Sequence, residues 1–249
     1  MDSNERELRF LPGELPVPGR RRKDGRLIVC RPDREEERSA LGRLWDGGFR
    51  ACPEYLGLDG QGGAYYALPP GQRADEGAEF SEKQFLSFMR LLRRMHDAGA
   101  QEKGERVICH RALSPEHVLF DPPHGHLGSL PCAIVDWDAC YYGRRWEDVV
   151  YVCWRWLGIG SPARDDGKIL RQIDKGLDAY SGGDEALSRE VREDFDGRIC
   201  ARMESVAFEA ELRGENLPAL RRRVTDGQQW VFRHRPALRA MILPDRPAW

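Results

Sequence analysis

The chain has 249 residues, enough for one sizeable core or two small ones. Its 39 Lys and Arg against 41 Asp and Glu leave a formal net charge of −2, so no global field draws it to nucleic acid or to an acidic membrane surface. Seven scattered cysteines, an odd number, argue for reduced core thiols in a cytoplasmic protein rather than a disulfide framework.

Met1 is not followed by a basic and then an apolar region, so no secretory signal is expected, and no run approaches the roughly 18 apolar residues of a membrane span. Leu27 to Cys30 reads as a strand, entered through the Lys23-Asp24-Gly25 turn and ended by Pro32, which cannot donate to a ladder. From Asp33 to Trp45 the apolar residues Ala40, Leu41, Leu44 and Trp45 fall at helical spacing, and Asp46-Gly47-Gly48 stops that helix. Two short strands, Tyr55 to Leu58 and Ala64 to Leu68, flank a glycine-rich hairpin. Pro69-Pro70-Gly71 then opens a polar linker, which places a boundary between residues 1–72 and 73–249.

Ser81 and Gln84 form a capping box, and Phe85, Phe88, Leu91, Leu92 and Met95 share one face up to Gly99, which predicts a buried amphipathic helix. Two strand-like pieces follow, Arg106 to Cys109 and Cys132 to Val135. From Glu147 onward the pattern is helical, broken at 158–162, 181–183 and Gly214. The basic runs 19–23 and Arg221-Arg222-Arg223 read as solvated turns or faces, with contact to a phosphate or an acidic partner as the alternative. His110, His117, His124 and His126 lack the spacing of a zinc site.

Both strand-like pieces end in chemically capable residues. His110-Arg111-Ala112-Leu113-Ser114-Pro115-Glu116-His117 follows the first and Asp136-Trp137-Asp138 the second. This pattern resembles the catalytic loop and metal-binding strand of the aminoglycoside phosphotransferase and choline kinase-like family. The resemblance implies an α+β, protein kinase-like fold, with a small antiparallel-sheet lobe over 1–72 and a larger helical lobe over 73–249. It also implies ATP and Mg²⁺ as cofactors, and a small-molecule or peptide hydroxyl as acceptor. Matched residue by residue, His110 falls on the loop-bracing histidine, Asp136 on the metal-chelating aspartate, His117 on the second metal ligand and Ala112 on the catalytic base. Asp148 falls on the structural aspartate of the next helix. Upstream, Arg31 stands for the phosphate-contacting basic residue, Glu37 for its helix partner, and Ala67 and Leu68 lie in the segment that resembles the hinge.

Four departures lie on one functional axis. Ala112 accepts no proton, His117 suits Mg²⁺ poorly, Arg31 replaces lysine, and prolines thin out the 11–19 segment where a glycine-rich hairpin is expected. Three readings follow: a pseudokinase, an active O-phosphotransferase carrying an Asp-to-Ala replacement, or a non-catalytic ligand- or peptide-binding scaffold. The helical half beyond Gly158 would supply the acceptor pocket. Its Trp154, Trp156, Asp165, Asp166, Glu204, Glu209 and Glu211 would suit a polyamine, unless the acids are solvated helix faces.

Overall fold

A computed structural model describes residues 18–74, 78–101, 106–122, 129–215 and 217–241. The chain begins with β1 (Leu27–Pro32), α1 (Glu35–Asp46), β2 (Glu54–Leu58) and β3 (Gly63–Leu68). These strands form an antiparallel sheet with β3 in the centre, Leu27 opposite Leu68 and Glu54 opposite Ala67. The central strand is buried almost throughout, as its run of Ala64, Tyr65, Tyr66 and Ala67 requires.

The linker is more structured than its polar composition suggests. Gln72–Arg73 forms a two-residue strand, β4, that pairs with β6 (Val118–Phe120), which in turn pairs with β7 (Pro131–Ile134). The proposed boundary at 72/73 therefore falls inside β4. A third, two-stranded sheet joins β5 (Val107–Cys109) to β8 (Tyr141–Gly143).

The helix α2 (Glu82–Ala98) starts at the expected capping box, with the Ser81 side chain accepting from Gln84 N–H. Such a cap contributes about 1 kcal/mol. Phe85, Phe88, Leu91, Leu92 and Met95 are at most 1% exposed, each side chain contributing roughly 1.5–3 kcal/mol of burial. They join one continuous core that runs from Leu41 and Leu44 of α1 to Leu238 near the C-terminal end.

The helices α3 (Arg145–Leu157), α4 (Asp166–Ser181), α5 (Glu185–Arg192), α6 (Phe195–Leu212) and α7 (Pro218–Ala240) complete the fold. The break between α5 and α6 adds to those read from the sequence, and it turns at Asp194, whose φ of 45° carries no glycine signal. Gly160 and Gly227 approach so closely that a Cβ on Gly160 would lie 2.5 Å from the Gly227 nitrogen, which seats the 158–162 loop on α7. Among the described residues no helix is long and apolar enough to cross a membrane.

The expected core thiols need one correction. All seven cysteines are free, but Cys30 is exposed and Cys132 and Cys200 are half-buried. Cys30 shares a face of β1 with buried Ile28 but lies nearer the end of the strand, where burial fades. The 11–17 part of the proline-rich segment, His124 and His126 lie outside the described residues.

Candidate active site

The strand β5 delivers His110 into the core, where its Nε2–H donates to the Val135 carbonyl at 2.9 Å and its Nδ1 accepts from Ala112 N–H at 3.3 Å. Both bonds require the neutral ring, and burial pushes its pKa below the ordinary 6.5. Trp137 packs edge-on against the same imidazole. The loop then turns at Arg111, whose φ is 69°.

Asp148, fully buried at the start of α3, holds this turn. It accepts from His110 N–H at 2.8 Å, from Arg111 N–H at 2.9 Å and from His96 Nε2 at 3.2 Å, while Tyr180 OH contacts His96 Nδ1 at 2.5 Å. Burial opposes the charge on Asp148, but the His96 and His110 bonds win and hold its pKa below the carboxylate range. His96, Cys109 and Asp148 lie close enough to hold a metal ion. Their atoms are already committed, Cys109 Sγ donating to the Arg144 carbonyl at 3.3 Å. The cluster is a brace for the loop.

Ala112 follows on this turn and brings only a methyl group to it. Its carbonyl accepts a short hydrogen bond from His117 Nδ1, which leaves His117 only Nε2 as a ligand atom. Asp136 follows β7 in the left-handed region, with φ 63°. Its Oδ2 accepts from Arg73 Nη2 at 2.8 Å, and Arg73 Nη1 also donates to the Glu116 carbonyl. Among the described residues no third His, Cys or carboxylate joins Asp136 and His117 in a ligand cluster. Mg²⁺ prefers about six oxygens in octahedral array. One carboxylate already bonded to a guanidinium and one imidazole do not fit it.

On the sheet side, Arg31 of β1 and Glu37 of α1 approach at 3.6 Å, an ion pair too long for a hydrogen bond. Among the described residues, Arg31 Nε and Nη2, Glu37 Oε1 and the Tyr66 hydroxyl are all buried without a hydrogen-bond partner. Burial pushes the Glu37 carboxyl above its usual range; Arg31 opposes this, while Asp138 and Asp136 add to it. The hinge positions are less available than expected. Ala67 is fully buried in β3 and its carbonyl accepts from Arg26 Nη1 at 3.3 Å, while Pro69 and Pro70, after Leu68, have no N–H to offer.

A sequence model of the "Phosphotransferase enzyme family" matches residues 68–185. No curated protein sequence matches the chain. Among solved structures, an ethanolamine kinase from Plasmodium vivax is 10% identical, with a TM-score of 0.56 over 89% of this chain and 77% of that one. An aminoglycoside phosphotransferase from Alicyclobacillus acidocaldarius gives 11% identity and a TM-score of 0.54 over 89% and 87%. A choline/ethanolamine kinase family protein from Mesorhizobium loti gives 15% and 0.50 over 85% and 86%. The chain has the protein kinase-like fold.

Within this kinase-like fold the acidic side chains suggested for a polyamine acceptor are engaged elsewhere. Asp165 caps α4 and Asp166 accepts from Trp230 Nε1 at 2.6 Å. Glu204 accepts from Gln228, Glu209 from Arg111 and Ser205, and Glu211 pairs with Arg221. Trp154 and Trp156 are buried, Trp156 Nε1 donating to the Leu113 carbonyl at 3.0 Å. The residue that sequence reasoning missed is Arg73. Its position in a polar linker gave no signal, because its partner Asp136 lies 63 residues away.

Proposed function

We propose that this protein is a pseudokinase: a phosphotransferase-fold protein of the cytoplasm that binds nucleotide phosphates without transferring them. The observation that carries the reading is the Arg73 to Asp136 hydrogen bond, taken with Ala112 at the position of the base. Transfer to a hydroxyl requires a group that orients the hydroxyl and a cation that holds the phosphates. Here the first is a methyl group, and the carboxylate for the second is held by an arginine.

A phosphate, in contrast, suits the chemistry of Arg31. Its Nε and Nη2 make no hydrogen bond among the described residues, and a nucleotide that reached them would supply phosphate oxygens. The guanidinium keeps its charge at any physiological pH. ATP or ADP is thus held mainly by its phosphates, with little help from a hinge that contains two prolines.

A second reading draws on the brace. His110 and Asp148 hold the loop as firmly as a working enzyme needs, which favours an O-phosphotransferase in which Ala112 replaces an aspartate. Its acceptor would be a small-molecule hydroxyl or a peptide Ser or Thr.

Thermal shift and ATP consumption test both readings. For the pseudokinase, ADP raises the melting temperature equally in Mg²⁺ and in EDTA, and ATP consumption stays at background in the unaltered chain and in Ala112→Asp. Mg²⁺-dependent ATP consumption by the unaltered chain, abolished in Asp136→Ala, overturns it. Turnover that appears only in Ala112→Asp supports the second reading instead.

A further inference from the structure

A pocket of about 870 Å³ opens between the C-terminal end of α3, the 158–164 loop and the first turns of α7. Ligand sites for small molecules span roughly 300–1,000 Å³, so it has room for one. Among the described residues four arginines line it, Arg155, Arg164, Arg222 and Arg223, against two carboxylates, Glu116 and Asp226. This sign is opposite to what a polyamine would need.

The arginines are not all balanced. Arg164 pairs with Glu79 at 2.9 Å and Arg155 with Glu116 at 3.2 Å. In the 221–223 run, Arg221 pairs with Glu211 on the neighbouring helix, whereas Arg222 and Arg223 line the pocket with no carboxylate within ion-pair distance among the described residues. The pocket wall partly desolvates the guanidinium of the otherwise exposed Arg223 and pushes it below its usual range; Arg155 pushes the same way and Glu116 opposes. Arg155, paired with Glu116, and the more distant Arg223 therefore both draw on that carboxylate. Repulsion of this kind is relieved by a further anion, and the planar guanidinium fork matches phosphate and carboxylate oxygens.

Two other features favour the same ligand. The α7 helix begins at Pro218, and Ala219 of its first turn lines the pocket, so the positive end of the helix dipole is close by. Part of the remaining wall is apolar, with Phe80, Pro115 and Ile159 lining the space. An inorganic ion would leave that wall wet.

We propose that this pocket binds a small organic anion, its phosphate or carboxylate between Arg155 and Arg223 and its apolar body along Phe80 and Pro115. The site stands whether or not nucleotide binds at Arg31. Glu116 is its internal competitor. Burial works against the charge on Glu116, but hydrogen bonds from its own backbone and Ser114, with Arg155 beside it, hold the carboxylate below its usual pKa.

Calorimetric titration of the full chain at low salt tests this, with phenyl phosphate and phenylacetate as anionic probes and spermidine as the cationic control. At least one anion binds and spermidine does not, and the tighter anion identifies the headgroup. Arg223→Ala weakens binding by about tenfold or more without lowering the melting temperature, because Arg223 is exposed. Glu116→Gln tightens it by freeing Arg155. Arg31→Gln leaves it unchanged, which separates this pocket from the phosphate site on the sheet. The proposal is overturned if neither anion binds, if Arg223→Ala binds as well as the unaltered chain, if Arg31→Gln alone abolishes binding, or if spermidine binds more tightly than both anions.

Discussion

Arg73 Nη2 and Asp136 Oδ2 meet at 2.8 Å, so the carboxylate that would serve a divalent ion instead serves a side chain from the linker strand. The Arg73 side chain is 53% exposed and that of Asp136 33%, so the pair contributes at most about 1 kcal/mol to stability. Its significance is electrostatic occupancy. On the proposed reading, the guanidinium takes the carboxylate for which a divalent cation would compete.

Arg73→Ala should therefore release Asp136 with little change in folding stability. We expect Mn²⁺ to raise the melting temperature of this variant in the presence of ADP, and to leave the unaltered chain where it is. An identical Mn²⁺ response in both proteins would show that Arg73 is not what keeps the ion out.

Asp148→Asn tests the brace. The amide turns one acceptor into a donor facing His110 N–H, Arg111 N–H or His96, and leaves a buried polar group unpaired. The cost should be roughly 3 kcal/mol or more in urea unfolding. Asp136→Asn, at a half-exposed carboxylate, should change stability by less than about 1 kcal/mol. Equal costs at the two positions would contradict the brace.

The same cluster sets a pH dependence. His96 and His110 are buried, with burial pushing both below the ordinary 6.5. The unfolded chain then takes up protons before the folded one, so stability is full above about pH 6.5 and falls as the pH drops below it. The depressed Asp148 carboxyl adds stability above the ordinary carboxylate range, which is lost only in stronger acid. Urea midpoints measured from about pH 8 to about pH 5 should decline, and His110→Gln should flatten the decline. A midpoint that is constant across this window would mean that neither histidine is held neutral.

Trp156 connects the core to the loop, stacked on Phe88 at 4.3 Å and bonded to the Leu113 carbonyl. Trp156→Ala should cost about 3–5 kcal/mol through the cavity it leaves. Trp156→Phe should recover most of the packing while still losing the bond to Leu113, and thermal unfolding of the two variants separates these contributions.

The elements that were legible in the sequence are those specified locally. Ser81 and Gln84 fix the start of α2 within four residues, and the glycine-rich 59–63 segment fixes the hairpin between β2 and β3. The loop and Asp136 were legible through the order of residue types along the chain. What could not be read depends on separation in sequence. The strand β4 has only two residues and exists through its pairing with Leu119 and Phe120. The sign of the large pocket arises because α3, the 158–164 loop and α7 each bring arginines to one space, while the acids that seemed to face it turn to partners of their own. No window of the sequence contains that arrangement.

Glu116 belongs to both regions at once: its carbonyl receives Arg73, which holds Asp136, and its carboxylate receives Arg155 at the edge of the pocket. The two regions thus share a single hinge pin. Where loss of the Arg155 contact shifts the Glu116 backbone, a ligand in the pocket would loosen Arg73, and reciprocity would make an Arg73 variant change that ligand's affinity by the same factor.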